Sequence, residues 1–186
     1  MDDLASSKDY FVITTNVEGQ FRKARVEESR FFEVQSNYGY FQSEKACHDR
    51  LYSNEKIVEQ MLSETIDCRI PSSLVPKCPV CGGNMEVNLR KDNYFVQDSK
   101  WYTSEDNYRK FISGTEGKST LFLELGVGYN TPGIIRYPFE AMVHNNPNAL
   151  LVRLNRDHTK GMSENTESTI SFNEDMTTII NEIRNY

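Results

Sequence analysis

The sequence predicts an α/β fold built on a parallel sheet and interrupted by a small cysteine-bearing module. Two observations carry that expectation. Between Thr120 and Leu154, an apolar run, a glycine turn, a helical pattern and a second apolar run follow one another within 35 residues. That is the order of a βαβ unit, with parallel strands and a right-handed crossover. All four cysteines and three of the six prolines fall between positions 43 and 101, in a stretch too poor in apolar residues to fold unaided.

A chain of 186 residues has room for one large domain or two small ones, each with a real core. Hydrophobic residues at 38% and charged residues at 26% exclude the disordered and membrane classes. The 21 Lys and Arg against 27 Asp and Glu leave a net charge of −6. No basic run offsets it, and such a surface repels phosphate backbones, so no nucleic-acid partner is expected. No apolar run approaches the ~20 residues of a membrane span. The polar start, Met1-Asp-Asp-Leu-Ala-Ser-Ser-Lys8, excludes a secretory signal. A cytoplasmic location is expected.

The elements read as follows. Tyr10-Phe-Val-Ile-Thr-Thr15 and Phe31-Phe-Glu-Val-Gln35 are short apolar, β-branched runs, predicting two buried strands. The first ends at Asn16 and the second at Ser36-Asn37-Tyr38-Gly39. Asn16 and Gln35 therefore stand at strand ends, where open α/β sheets keep ligand sites; the alternative is that each merely caps its strand. Asn54 to Glu64 predicts a helix through Ile57, Val58, Met61 and Leu62. Met85–Leu89 predicts a short strand. Ser104 is the expected N-cap of a helix that shows Tyr108, Phe111 and Ile112 on one face. Thr120–Leu125 is the next strand. Thr131 and Pro132 are the expected cap and first residue of a helix to about His144, burying Ile134, Ile135, Phe139, Met142 and Val143. Ala149–Leu154 is the last predicted strand, and Asn173 is the expected cap of a final helix carrying Met176, Ile179, Ile180 and Ile183. There is no internal repeat.

Two chemical signals stand out. In a reducing compartment cysteines serve as metal ligands, buried thiols or catalytic groups rather than disulfides. Cys78-Pro-Val-Cys81-Gly-Gly is the knuckle half of a zinc ribbon, in which two thiolates take two corners of a tetrahedron. Cys47 is the third candidate ligand, and it has no partner at knuckle spacing. The fourth is Cys68, His48 or water; free thiols on a vestigial knuckle are the alternative. The second signal is Gly126-Val-Gly128 ahead of a helix. Glycines allow close backbone approach and the helix start supplies N–H donors for an anion, although many such turns use glycine only for geometry. Asn155, at the tip of the next strand, is placed to meet a ribose hydroxyl at the same sheet edge.

Taken together, the residues resemble the sirtuin (Sir2-like) family. The likeness runs through Thr14-Thr-Asn-Val-Glu18, Phe32-Glu-Val-Gln35, Tyr38-Gly-Tyr-Phe-Gln42, Cys47-His48 and Cys78-Pro-Val-Cys81-Gly-Gly. It continues through Asn88-Leu-Arg90, Phe95-Val96, Trp101 and Gly126-Val-Gly-Tyr-Asn-Thr-Pro-Gly-Ile-Ile-Arg-Tyr-Pro-Phe139. More closely, the chain looks like the macrodomain-linked microbial class. The resemblance implies a Rossmann-like lobe (deoxyhypusine synthase/NAD-binding-like) over residues 1–42 and 102–186, with a small zinc-ribbon lobe over 43–101. It implies NAD and zinc as cofactors. It places Asn16 and Gln35 as catalytic and NAD-binding residues, Gly126, Gly128, Asn130, Thr131 and Asn155 as further NAD contacts, and Cys47, Cys78, Cys81 and Cys68 at the metal. It also implies a protein substrate, in particular a lipoyl-carrier protein, and a macrodomain protein as a partner.

Ordinary sirtuins have histidine where this chain has Gln35, and use it in NAD-dependent deacylation of lysine. Glutamine cannot act as a base near neutral pH, so the resemblance implies ADP-ribosyl transfer, with deacylation disfavoured. Other departures are Glu18 for Asp, Ser36 for Gly, Arg25 where Lys-Ala-Gly is usual, and Ser43 in the position of the first zinc cysteine. The family's Gly-Ala-Gly-type phosphate loop, expected upstream of Asn16, is not in this chain. The expectation is an N-terminally truncated member. It is either a transferase that needs a separate N-terminal piece or an inactive module that only binds.

Overall fold

A computed structural model describes residues 7–184, which divide into two units. One runs from Ile13 to Asn107, and the other takes the chain up to Val12 together with the segment from Tyr108 onward.

In the first unit, β1 (Val12–Thr14) pairs with β2 (Phe31–Glu33), and between them lies the short helix α1 (Gln20–Lys23). Phe31, Phe32 and Val34 are buried, and Trp101 packs edge-on to Phe32 while its indole N–H donates to the Val34 carbonyl at 3.1 Å. The residues expected to terminate the second strand begin a third instead. β3 (Ser36–Ser43) forms the centre of an antiparallel sheet between β4 (Tyr52–Ser53) and β5 (Met85–Leu89). Its inward residues include Gln42 and Ser43, which no apolar pattern reveals. Gln42 is buried because its amide is fully used: it donates to Glu86 and the Tyr94 carbonyl and accepts from Asn88 and the Val96 N–H. Helix α2 (Glu55–Ser63) follows β4 as predicted. Helix α3 (Ser99–Ser113) starts five residues before the expected Ser104, because Asp98 accepts the Trp101 N–H at 2.9 Å and caps it there.

Two departures from the family pattern coincide with left-handed backbone. Arg25 has φ +58° and Ser36 φ +58°. Arg25 closes α1, with Arg25 N–H on Arg22 O and Val26 N–H on Phe21 O, a pairing that favours glycine. A side chain in this conformation costs about 1–2 kcal/mol and glycine avoids it. Arg25→Gly and Ser36→Gly are each expected to stabilise the chain by roughly 0.5–1 kcal/mol after glycine's own entropy. Urea unfolding midpoints check this.

In the second unit, Phe11 packs on Tyr108 and Phe111 with ring centres 5.6 and 5.7 Å apart. β6 (Thr120–Leu125), β7 (Ala149–Leu154) and β8 (Thr169–Phe172) form a parallel sheet in that order. Helix α4 (Arg136–Asn145) links β6 to β7, giving the predicted βαβ unit. It starts later than the expected Thr131. Residues 131–135 are in turns, with Ile134 N–H on Thr131 O and Tyr137 N–H on Pro132 O. Helix α5 (Met176–Arg184) is capped by Asp175, whose carboxylate accepts from Thr177 and Thr178 N–H, rather than by Asn173.

Between the sheet and α4 lie Phe122 and Leu151 but also four charges, two from the strands and two from the helix. Glu124 and Arg153 are register partners on β6 and β7, bonded at 2.6 and 3.2 Å, and Arg153 also reaches Glu140 of α4 at 2.7 Å. Arg136 lies 3.9 Å from Glu124 and 4.0 Å from Glu140, and all four residues are buried. Side chains alternate across a strand, so Leu121, Leu123 and Ile170 project from the other face, where they are exposed. Among the described residues, no helix is long and apolar enough to cross a membrane.

Candidate functional site

The cysteine cluster is built by two tight turns. After β3, the chain turns through Ala46, whose N–H returns to Ser43 O, and delivers Cys47 and His48. The knuckle is closed by Cys78 N–H on Gly83 O and Gly82 N–H on Cys78 O, with Gly82 at φ +69°. Cys47 and Cys78 Sγ are 3.6 Å apart, and Cys81 Sγ lies 3.9 Å from Ser43 Oγ. Zn–S bonds of about 2.3 Å place the sulfurs of a tetrahedron about 3.8 Å apart, so the spacing fits zinc. The Cys81 N–H, aided by that of Val80, donates to Cys78 sulfur and holds this buried thiol down to about 6, against the effect of burial. Ser43 pulls the Cys47 thiol down, but the Cys81 sulfur, burial and Cys78 outweigh it and Cys47 stands above the usual thiol range.

The ligand atoms of Cys47, His48 and Cys78 all lie within 4.8 Å of one another, a group that could hold a metal. His48 has a second constraint. Its Nδ1 accepts the Arg50 N–H at 3.1 Å, so the neutral ring carries its proton on Nε2. Nε2 is 3.4 Å from Cys78 Sγ and 3.2 Å from the Tyr52 hydroxyl, an arrangement in which His48 donates to the sulfur. Tyr52 is a partner the sequence offered no signal for. Cys68 is exposed in the turn between Ile66 and Arg69 and is not part of this group.

Asn16 and Gln35 lie on adjacent segments. Val34 N–H donates to Thr14 O and Tyr38 N–H to Val17 O, so the stretches carrying the two amides run side by side in one direction. Asn16 is exposed, with its N–H on Thr14 Oγ1, and Gln35 is half-buried. Two residues before Gln35, buried Glu33 is held by Arg22 at 3.0 Å and Asn37 at 2.7 Å.

In the second unit, Gly126 follows β6 at φ +67° and Val127 turns its carbonyl inward, where Asn155 Nδ2 meets it at 2.8 Å and Arg136 at 3.1 Å. Asn155 is buried, and its Oδ1 accepts from Asp157 and His158 N–H. Asn130 and Thr131 are exposed on the same loop. Gly128 N–H makes no hydrogen bond among the described residues, so this loop offers a donor and open backbone to an acceptor such as a nucleotide.

No protein-family model matches the chain. It is 32% identical over 181 residues to a protein ADP-ribosyltransferase of Staphylococcus aureus (strain Mu50), covering 97% of this chain and 58% of that protein. That match relates the chain to a named ADP-ribosyltransferase. The chain is also 30% identical over 142 residues to a probable bifunctional ADP-ribose hydrolase/ADP-ribosyltransferase of Fusarium oxysporum f. sp. cubense, covering 73% of the chain and 24% of the relative. It therefore spans less than two thirds of the length of either relative. A solved structure of Sir2Af2 bound to a myristoylated histone peptide aligns with 94% of this chain and 65% of its own, at TM-score 0.46 and 15% identity.

Proposed function

We propose that the chain carries the nicotinamide-ribose and adenosine contacts of an NAD-dependent protein ADP-ribosyltransferase. The observation that carries this reading is the paired amides, Asn16 and Gln35, on adjacent segments where deacylating sirtuins place a histidine. The relationship to named ADP-ribosyltransferases supports it. In the transfer, the glycosidic C–N bond of NAD breaks and nicotinamide leaves. The acceptor atom of the target protein bonds to the anomeric carbon, and its proton passes to solvent. Neither amide can take that proton; they orient the ribose and the incoming nucleophile instead. Gly126, Gly128, Asn130 and Thr131 serve the adenosine side. Asn155, whose amide is taken up by Val127 O and by the Asp157 and His158 N–H groups, serves it by shaping the loop. A lipoyl-carrier protein is the proposed target. A macrodomain protein is the proposed partner, in keeping with the hydrolase joined to the transferase in the Fusarium relative's name.

The test is transfer from labelled NAD to a panel of carrier proteins, with the upstream half of a family member supplied. Asn16→Ala and Gln35→Ala are each expected to lower transfer by about tenfold or more, the effect of one lost orienting hydrogen bond. Transfer unchanged in both variants would remove the two amides from the site. NAD binding without any transfer would favour the inactive binding module.

We assign zinc to Cys47, Cys78 and Cys81, with the fourth corner beside Ser43, in the reducing cytoplasm we infer for the chain. Bound there, zinc supplies a structural cross-link and takes no part in transfer. With cobalt substituted, Ser43→Cys is expected to intensify the thiolate charge-transfer band and tighten metal binding. His48→Gln and Cys68→Ala are expected to leave the band in place. Loss of the metal in His48→Gln would make the histidine a ligand.

A further inference from the structure

Two loops meet at the C-terminal edge of the parallel sheet in the second unit, residues 126–131 after β6 and 155–161 after β7. Two buried side chains tie them together. Arg136 Nη1 donates to Val127 O at 3.1 Å in the first loop. Its Nη2 donates to His158 O at 3.0 Å and to Lys160 O in the second. Asn155 works the same junction from the strand tip, giving Nδ2 to Val127 O at 2.8 Å while Oδ1 accepts from Asp157 and His158 N–H at 3.1 and 2.8 Å. The Arg136 guanidinium also lies 4.5 Å from the Tyr129 ring centre, and Tyr129 stands edge-on to His158 at 5.0 Å. Lysine could not replace this arginine, because one ammonium cannot reach three carbonyls on two loops as a planar fork does.

A trans peptide is planar, with its C=O and N–H pointing in opposite directions. With both acceptor sites of the Val127 carbonyl taken inside, the Gly128 N–H is forced outward, where it has no partner among the described residues. We propose that Arg136 and Asn155 are positioning residues: they fix the 127–128 peptide so that Gly128 N–H is a standing donor to an oxygen of the bound nucleotide, and they lock the two loops into one preformed edge. The adenosine role of Gly128 rests on the function proposed above. The clip between the loops does not.

The experiment is amide hydrogen exchange on wild type, Arg136→Lys and Asn155→Asp, followed by NAD titration of the same proteins with the upstream half of a family member supplied. Arg136→Lys should speed exchange in both loops by about tenfold or more, the scale of one lost hydrogen bond to a charged donor. Asn155→Asp is the milder variant. Its carboxylate still accepts from Asp157 and His158 N–H but repels Val127 O, so exchange should rise in residues 126–131 and stay low in 155–161. NAD affinity should fall about tenfold in both. Exposed Tyr137→Ala should change neither quantity. Loops that exchange as in wild type would overturn the clip, as would faster exchange spread equally through β6 and β7. Opened loops with unchanged NAD affinity would overturn the positioning role. If wild type binds no NAD while both variants open the loops as described, the nucleotide reading falls and the clip stands.

Discussion

Replacing Cys78 with serine is expected to release the metal and unfold the sheet of β3, β4 and β5. Cys78 is the buried sulfur of the knuckle, the one that the Cys81 and Val80 N–H groups address. Helix α2 of the same unit buries no residue fully, and Leu62 is 72% exposed. The module therefore leans on its metal. Structural zinc contributes an apparent 10–16 kcal/mol at neutral pH, about the whole stability of a domain. Elemental analysis of reduced protein should give about one zinc per chain in wild type and far less in the variant. Hydrogen exchange should accelerate through Ser36–Ser43 and Met85–Leu89. A folded, metal-free variant would refute the dependence. Because zinc binds thiolates and not thiols, metal affinity is expected to fall as the pH is lowered, which elemental analysis across a pH series measures.

Arg153→Met is expected to destabilise the second unit by about 3–5 kcal/mol, because it strands Glu124 and Glu140 inside the protein. Arg153 is 0% exposed and bonds Glu124 through two nitrogens and Glu140 through one of them. Arg136, at 3.9 and 4.0 Å, is too distant to replace those bonds. Urea unfolding followed by far-ultraviolet circular dichroism measures the loss. Removing one carboxylate as well, as Glu124→Gln with Arg153→Met, should cost less than the single change, since Arg136 and Glu140, 4.0 Å apart, then balance each other. A single variant as stable as wild type would show that water reaches these carboxylates. The same cluster explains Gly161: a Cβ there would sit 2.5 Å from Arg153 Nη1 and 2.6 Å from Glu140 Oε1.

Short-range chemistry left clear marks in the chain. The apolar runs at Thr120–Leu125 and Ala149–Leu154 became strands with those same ends, because a β-branched or leucine-rich run before a glycine turn has few other places to bury itself. The Cys78–Cys81 knuckle was legible for the same reason, its turn and both sulfurs lying within a few residues. Local polarity misled where competing caps stood close together: Asp98 displaced Ser104 and Asp175 displaced Asn173 as helix starts, since a carboxylate accepts from a helix N-terminus more strongly than a hydroxyl or amide. Long-range pairing left no such mark. No local pattern marked Gln42 as buried, yet Asn88, Val96 and Tyr94 surround it, and nothing linked Glu124 to Arg153 until their strands aligned. The roles of Arg136 and Asn155 at Val127, and of Tyr52 at His48, belong to the same class. A buried polar group is tolerated only when a partner neutralises its desolvation, and that partner is chosen by the fold, from residues that can lie 29 positions away, as Glu124 does from Arg153.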